Sequence, residues 1–262
     1  MRAVSEGLRL LLRRYGPASA ALLLLLLLWH WAVVAWEVKE FILPTPLRAI
    51  AAFGDPSYHW GQHILVTTYE IVGAFAISAV LGVLLGVMIV WNPWVERTML
   101  PLLVLFNTLP KVALAPLFVI WMGFGVWPNI VIAVTVAFFP VVISTAAGLS
   151  LIEPELLDLA RVLRGGRLQV FAKIRFPNAL PHIFSGLKVS ASLAVVGAIV
   201  GEFVASDRGL GSLIIAAGVT LSTPAIFAAL LLISFLGLAL FGLVAIVERL
   251  VMPWEFRSQA GR

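Results

Sequence analysis

Residues 158–177, DLARVLRGGRLQVFAKIRFP, hold five cations (Arg161, Arg164, Arg167, Lys173 and Arg175) around a glycine pair at Gly165 and Gly166. Elsewhere the informative ionisable residues stand singly in apolar runs. Lys111 lies between Pro110 and Pro116. A cation beside freed backbone carbonyls either lines a path for an anionic solute or snorkels past a kinked helix. An ionisable group at mid-bilayer costs roughly 2.5–3.5 kcal/mol on insertion scales, so each one needs a reason. Glu70 is expected in pairing between helices and Lys188 is expected to snorkel. Glu202 is expected either at an outer gate or as an interfacial acid facing water. His59 and His63 have the i, i+4 spacing of two metal ligands, but neither a third ligand nor an H-E-x-x-H glutamate accompanies them. No metal site is expected. No carboxylate pair, Ser/His/Asp set or phosphate-cradling glycine loop makes a catalytic site.

The elements that position these residues follow from composition. Of the 262 residues 61% are hydrophobic and 12% charged, with a mean hydropathy of +1.06 and no cysteine. A soluble domain has about a quarter of its residues charged, so lipid must cover most of this surface. Six runs reach the roughly 20 apolar residues of a spanning helix: 18–36, 64–90, 99–122, 130–149, 183–204 and 225–247. They are long and continuous, which argues against a β-barrel of alternating strands. The leucine-rich first run is longer than a signal-peptide core and lacks a clean small-x-small site, so it reads as a retained helix. Residues 1–17 then form an N-terminal segment, 18–36 a first span, 37–63 an outer loop, 64–252 a core and 253–262 a tail. With the N-terminus inside, thirteen of the 18 Lys and Arg fall on inner segments and three, Lys39, Arg48 and Arg208, on outer ones. That bias places both termini and the basic patch on the cytoplasmic side. Gly82 and Gly86, like Gly197 and Gly201, have the G-x-x-x-G spacing that permits close helix approach, here within one chain rather than between copies.

Within the patch, helical spacing puts Leu156, Leu159, Ala160 and Leu163 on one face, and Val170, Phe171 and Ile174 on another. The glycines break the helix between them, and Pro177 and Pro181 are expected to end the second arm. Such an apolar ridge with a cationic rim suits a groove in a partner protein. The extended segment DLARVLRGGRLQVFAKIRFPNALP resembles the EAA loop of membrane subunits of ATP-binding cassette importers. Asp158, Leu159 and Ala160 occupy the opening triplet, and Ile174, Arg175, Phe176 and Pro177 the close. The family glycine falls on Arg164, one position ahead of Gly165, which implies a turn displaced by one residue. NTLPKVALAPLFVIWMGFG, GLKVSASLAVVGAIVGEFVASDRGLGSLI and ILPTP are similar to the nitrate/sulfonate/taurine branch, so the likeness covers nearly the whole chain.

The resemblance implies an all-α membrane protein with six transmembrane helices, in the type I importer (MetI-like) permease fold with cytoplasmic coupling helices in a loop at 153–181. It assigns ATPase coupling to Asp158, Leu159, Ala160, Arg161, Leu163, Gly165, Gly166, Arg167, Phe171, Ile174 and Pro177, and a translocation pathway near Pro110, Lys111, Pro116 and Glu202. Implied partners are two ATPase subunits, a second permease copy, a periplasmic solute-binding protein and the lipid of a bacterial inner membrane, without nucleic acid. The chain has no G-x-x-x-x-G-K-[ST]. No cofactor is therefore expected in it, and ATP with Mg belongs to the partner ATPase. The expected solute is small and anionic, sulfonate- or nitrate-like. An ion-gradient-driven transporter or channel is the alternative, although the halves are not visibly similar. An intramembrane enzyme would have to rest on the two histidines alone.

Overall fold

A computed structural model describes residues 2–152 and 154–254, with the side chains of 2–15, 18, 154, 157, 159, 161 and 205 outside that description. Helices run in the order α1 (Arg2–Ala35), α2 (Pro46–Ala51), α3 (Trp60–Trp91), α4 (Pro93–Thr108), α5 (Ala115–Met122) and α6 (Val126–Ser150). They continue with α7 (Pro154–Val162), α8 (Arg167–Val170), α9 (Phe176–Ala205), α10 (Leu210–Val219) and α11 (Thr223–Val251). No strand occurs among the described residues. The chain divides into two compact units, Met1–His59 with Ile214–Leu231, and Trp60–Leu213 with Leu232–Arg262.

In the first unit, Thr45 caps α2 by accepting from the Arg48 N–H at 3.4 Å, and Pro46 enters the first turn, where its missing N–H is harmless. Trp29 of α1 stacks on Phe227 at 5.3 Å, and the Thr223 hydroxyl donates to the Phe41 carbonyl at 2.6 Å.

In the second unit, α6 runs between α3 and α9, and glycine sets the spacing on both sides. Added Cβ atoms at Gly82 and Gly86 of α3 would fall 2.5 Å from Val141 Cβ and 2.6 Å from Thr145 Cβ. At Gly197 and Gly201 of α9 they would fall 2.5 and 2.8 Å from the Cα atoms of Ala133 and Asn129. Both G-x-x-x-G pairs thus serve packing within the chain, as their spacing predicts. Alanines Ala74, Ala133, Ala137, Ala191, Ala194 and Ala198 fill the seam between them. Between helices in lipid there is no hydrophobic driving force, and the dispersion energy of such close contact takes its place.

Among the described residues four helical stretches are long and apolar enough to cross a membrane: Pro56–Trp91, Val126–Ser150, Arg167–Val204 and Thr223–Val251. Ser19–Ala35 is a shorter apolar helix. The run at 99–122, expected as one span, is instead split into Pro93–Thr108 and Lys111–Met122, bent by 82°. Pro110 is the cause. It cannot donate to the preceding turn, and it holds Leu109 extended at φ −66°, ψ 136°.

Lys188 does not snorkel. Its ammonium pairs with Glu248 Oε2, joining α9 to α11, with the two side chains 27% and 11% exposed. Removing one partner of a buried pair strands the other charge. Lys188→Met should therefore lower stability by about 2 kcal/mol, less than the ~3–5 of a fully dry pair. Lys188→Met with Glu248→Leu should recover most of the loss, as read by the unfolding midpoint in detergent.

Candidate functional site

The basic segment folds as a hairpin. α7 ends where the Gly165 N–H reaches back to the Ala160 carbonyl at 2.9 Å, and Arg164 between them takes φ +52°. This is the left-handed C-terminal cap that glycine ordinarily fills. The displaced turn implied by the family pattern is therefore absent. Arg164 holds the glycine conformation at the glycine position, whereas Gly166 sits at φ −67° and needs no special residue. Arg164→Gly should relieve about 1 kcal/mol of strain and slow amide exchange across the hairpin roughly fivefold. Gly166→Ala should change nothing, since its Cβ would meet only Gln169 Oε1, at 3.8 Å.

The second arm also departs from expectation. Neither Pro177 nor Pro181 ends it. α8 passes through a π-helical turn, Phe171–Arg175, directly into α9, which contains both prolines. A π-turn shifts the hydrogen-bond register, so a residue without an N–H can follow without an orphaned carbonyl ending the helix. The hairpin is thereby rigidly continuous with a spanning helix. Its base is anchored by Phe171 edge-on to Trp91 at 5.2 Å, Arg175 Nη1 on the Leu149 carbonyl at 3.4 Å and Asn178 Nδ2 on the Leu151 carbonyl at 2.7 Å. Asp158 is exposed and Ala160 buried. Leu163, Gly165, Gly166 and Arg167 are exposed, and Phe171, Ile174 and Pro177 half-buried. The side chains of Leu159 and Arg161 lie outside the described residues, as do Arg257 and Arg262 of the tail.

A second cluster forms at the opposite end of α9. Glu202 is 1% exposed, so it is not an acid facing water. Its Oε1 accepts from the Thr67 hydroxyl at 2.6 Å and its Oε2 from the Gly211 N–H. Thr67 Oγ1 in turn accepts from the Leu210 N–H at 2.8 Å, and His63 Nδ1 lies 2.7 and 3.0 Å from the Gly209 carbonyl and N–H. The carboxylate and its neighbours thus hold the first turn of α10, whose N–H groups have no helical acceptor. Glu70, fully buried, accepts from Asn129 Nδ2 of α6 at 2.8 Å. Four elements meet here through polar side chains. Thr67, Asn129 and the Gly209–Gly211 backbone were not singled out in the sequence. The signal was the spacing of His63, Thr67 and Glu70, which puts three polar residues on one face of a largely apolar helix.

Lys111 stands apart from this cluster. It opens the short 3₁₀ turn Lys111–Leu114 at the bend after Pro110, and its ammonium donates to Asn107 Oδ1 at 2.8 Å and the Asn107 carbonyl at 3.2 Å. It therefore occupies a corner rather than mid-span. Pro116 lies in the first turn of α5, where it breaks nothing. His59 bonds the Ser57 carbonyl at 2.8 Å. Among the described residues no three His, Cys, Asp or Glu side chains converge as metal ligands.

The chain matches the family of binding-protein-dependent transport system inner membrane components over residues 78–253. It is 32% identical to the formylaminopyrimidine transport permease protein ThiX of Halalkalibacterium halodurans, over 93% of this chain and 98% of that one. It is 34% identical to the riboflavin transport system permease protein RibX of Chloroflexus aurantiacus, over 96% of each. Permeases named for aliphatic sulfonates, taurine and nitrate match at 30, 28 and 26%. In fold it is similar to the MetNI methionine ABC transporter solved in inward-facing conformations, with a TM-score of 0.57 at 18% identity over 71% of this chain and 94% of that one. The chain belongs to the binding-protein-dependent family and is a membrane permease subunit of an ABC importer, not an enzyme. Members of this family work with ATPase and substrate-binding partners.

Proposed function

We propose that two copies of this chain form a solute pathway in a bacterial inner membrane, with the hairpin at 158–177 and both termini on the cytoplasmic side. The hairpin takes up the movement of a partner ATPase, which binds ATP and Mg, and a solute-binding protein delivers cargo at the other face. The observation that supports this is a ridge with no apolar cover: Val162, Leu163 and Leu168 are 80%, 72% and 69% exposed, at the tip of a hairpin rimmed with cations. Large apolar side chains gathered on a charged tip suit a protein groove. Because the second arm is continuous with α9, a push on the tip reaches the Glu202 end of the bundle through one rod. Closure of the ATPases would turn the bundles outward, and hydrolysis would reset them. Leu163→Glu with Leu168→Glu should abolish co-purification of the ATPase and ATP-dependent uptake while the permease still inserts. Retained uptake by that variant, or uptake indifferent to vanadate, would sink this reading in favour of an ion-gradient-driven carrier.

For the solute, the support for a small anion is Lys111 at the bend. Two relatives at 32 and 34% identity, named for formylaminopyrimidine and riboflavin, favour a second reading, a planar heteroaromatic compound. Lys111→Gln separates the two. It should raise KM for an anion severalfold and leave uptake of a neutral ring compound unchanged.

A further inference from the structure

A cleft of about 270 Å³ opens against the hairpin, and the exposed Leu163 and Leu168 do not line it. Arg167 and Arg175 supply its charge, and Trp91, Val90, Phe171 and Val170 its apolar wall. No carboxylate among the described residues lines it. Its depth is fixed by three span ends that meet there. Trp91 is the last residue of α3, the Leu149 carbonyl held by Arg175 belongs to the last turn of α6, and Arg175 lies in the π-turn that feeds α9. Where spanning helices end, tryptophan and arginine lie at the level of lipid headgroups.

We propose that this cleft holds the phosphodiester of an anionic phospholipid, with its acyl chains along Trp91 and Val90. Guanidinium groups present paired N–H donors that match phosphate oxygens. One Nη of Arg175 goes to the α6 carbonyl and leaves its other donors for the ligand. A basic pocket between span ends, walled by aromatic rings, recognises both parts of such a lipid, charge and hydrocarbon. A soluble anion would use only the first. An ATPase side chain is the competing occupant, but Val162, Leu163 and Leu168, the exposed apolar residues that suit a protein groove, are not among those lining the cleft. Arg167 also belongs to the residues assigned to ATPase coupling, so the readout is lipid retention by the permease with no ATPase present.

The test is native mass spectrometry of the full-length chain in micelles doped with phosphatidylglycerol or phosphatidylcholine, with and without inorganic phosphate. The wild-type chain should retain phosphatidylglycerol preferentially and keep it in excess phosphate. R167Q and R175Q should each lower its occupancy roughly fivefold, and together on the order of 25-fold. R175K, which keeps the charge but not the paired donors, should retain part of it. K173Q, on the same π-turn but outside the cleft, should match wild type. Because R175Q also loses the Leu149 contact, R167Q tests the assignment without that loss. Two results would overturn it: unchanged retention in the double variant, or complete displacement by inorganic phosphate.

Discussion

Gly197→Val is expected to leave no stably folded permease. A Cβ there would sit 2.5 Å from Ala133 Cα and 3.1 Å from its Cβ, and backbone cannot step aside as a flexible side chain can. The added branches would have to push α9 off α6, along a seam whose close approach recurs at Gly148, Gly186 and Gly201. Overpacking a core costs about 1–3 kcal/mol when side chains can shift. Here a helix must move, so the loss should exceed that range and appear as aggregation on size-exclusion chromatography. Gly218→Ala is the control, since its Cβ would meet nothing within 4 Å. A monodisperse, transport-competent Gly197→Val protein would mean that α6 and α9 do not pack as described.

The second large effect is expected at the Glu202 cluster. Glu202→Leu removes the acceptor of the Thr67 hydroxyl and of the Gly211 N–H, both buried. Each unpaired group costs about 1–3 kcal/mol. The first turn of α10 should come loose, and transport should fall at least tenfold. Thr67→Val should act in the same direction, because Thr67 both donates to Glu202 and accepts from Leu210, whereas Thr67→Ser keeps both bonds. Gly209→Ala should be as damaging as Glu202→Leu. Gly209 is at φ +112°, a conformation open to glycine, and its Cβ would fall 2.3 Å from Glu202 Cδ. Limited proteolysis across 206–211, alongside uptake, separates a loosened turn from global unfolding. Wild-type protection in Glu202→Leu would show that the carboxylate does not hold this turn.

How much of this was legible beforehand depends on the range of the interaction. The helical class, most spans and the hairpin arms follow from apolar runs and local spacing, because in lipid a backbone must satisfy its own hydrogen bonds within a continuous segment. The glycine pairs likewise announced close approach. Their partners, Val141, Thr145, Ala133 and Asn129, were not readable, since nothing local says that α6 rather than another helix lies opposite. Pro110 was visible as a kink, but the 82° bend that moves Lys111 from mid-span to a corner was not. Pro177 looked like a terminator for the opposite reason: local rules count its missing N–H, while the π-turn before it re-registers the bonds.

From its amino acids alone, then, the protein is determined to be a bundle of membrane helices with a basic, apolar-ridged hairpin, because solvent and backbone chemistry act residue by residue. The structure decided that Arg164 takes the glycine conformation, that Lys188 pairs with Glu248 instead of snorkelling, and that Glu202 fastens the first turn of α10. The Arg164 cap is a local, exposed turn. The Lys188 pair and the Glu202 bonds, by contrast, draw their strength from burial, which exists only once distant segments have been brought together.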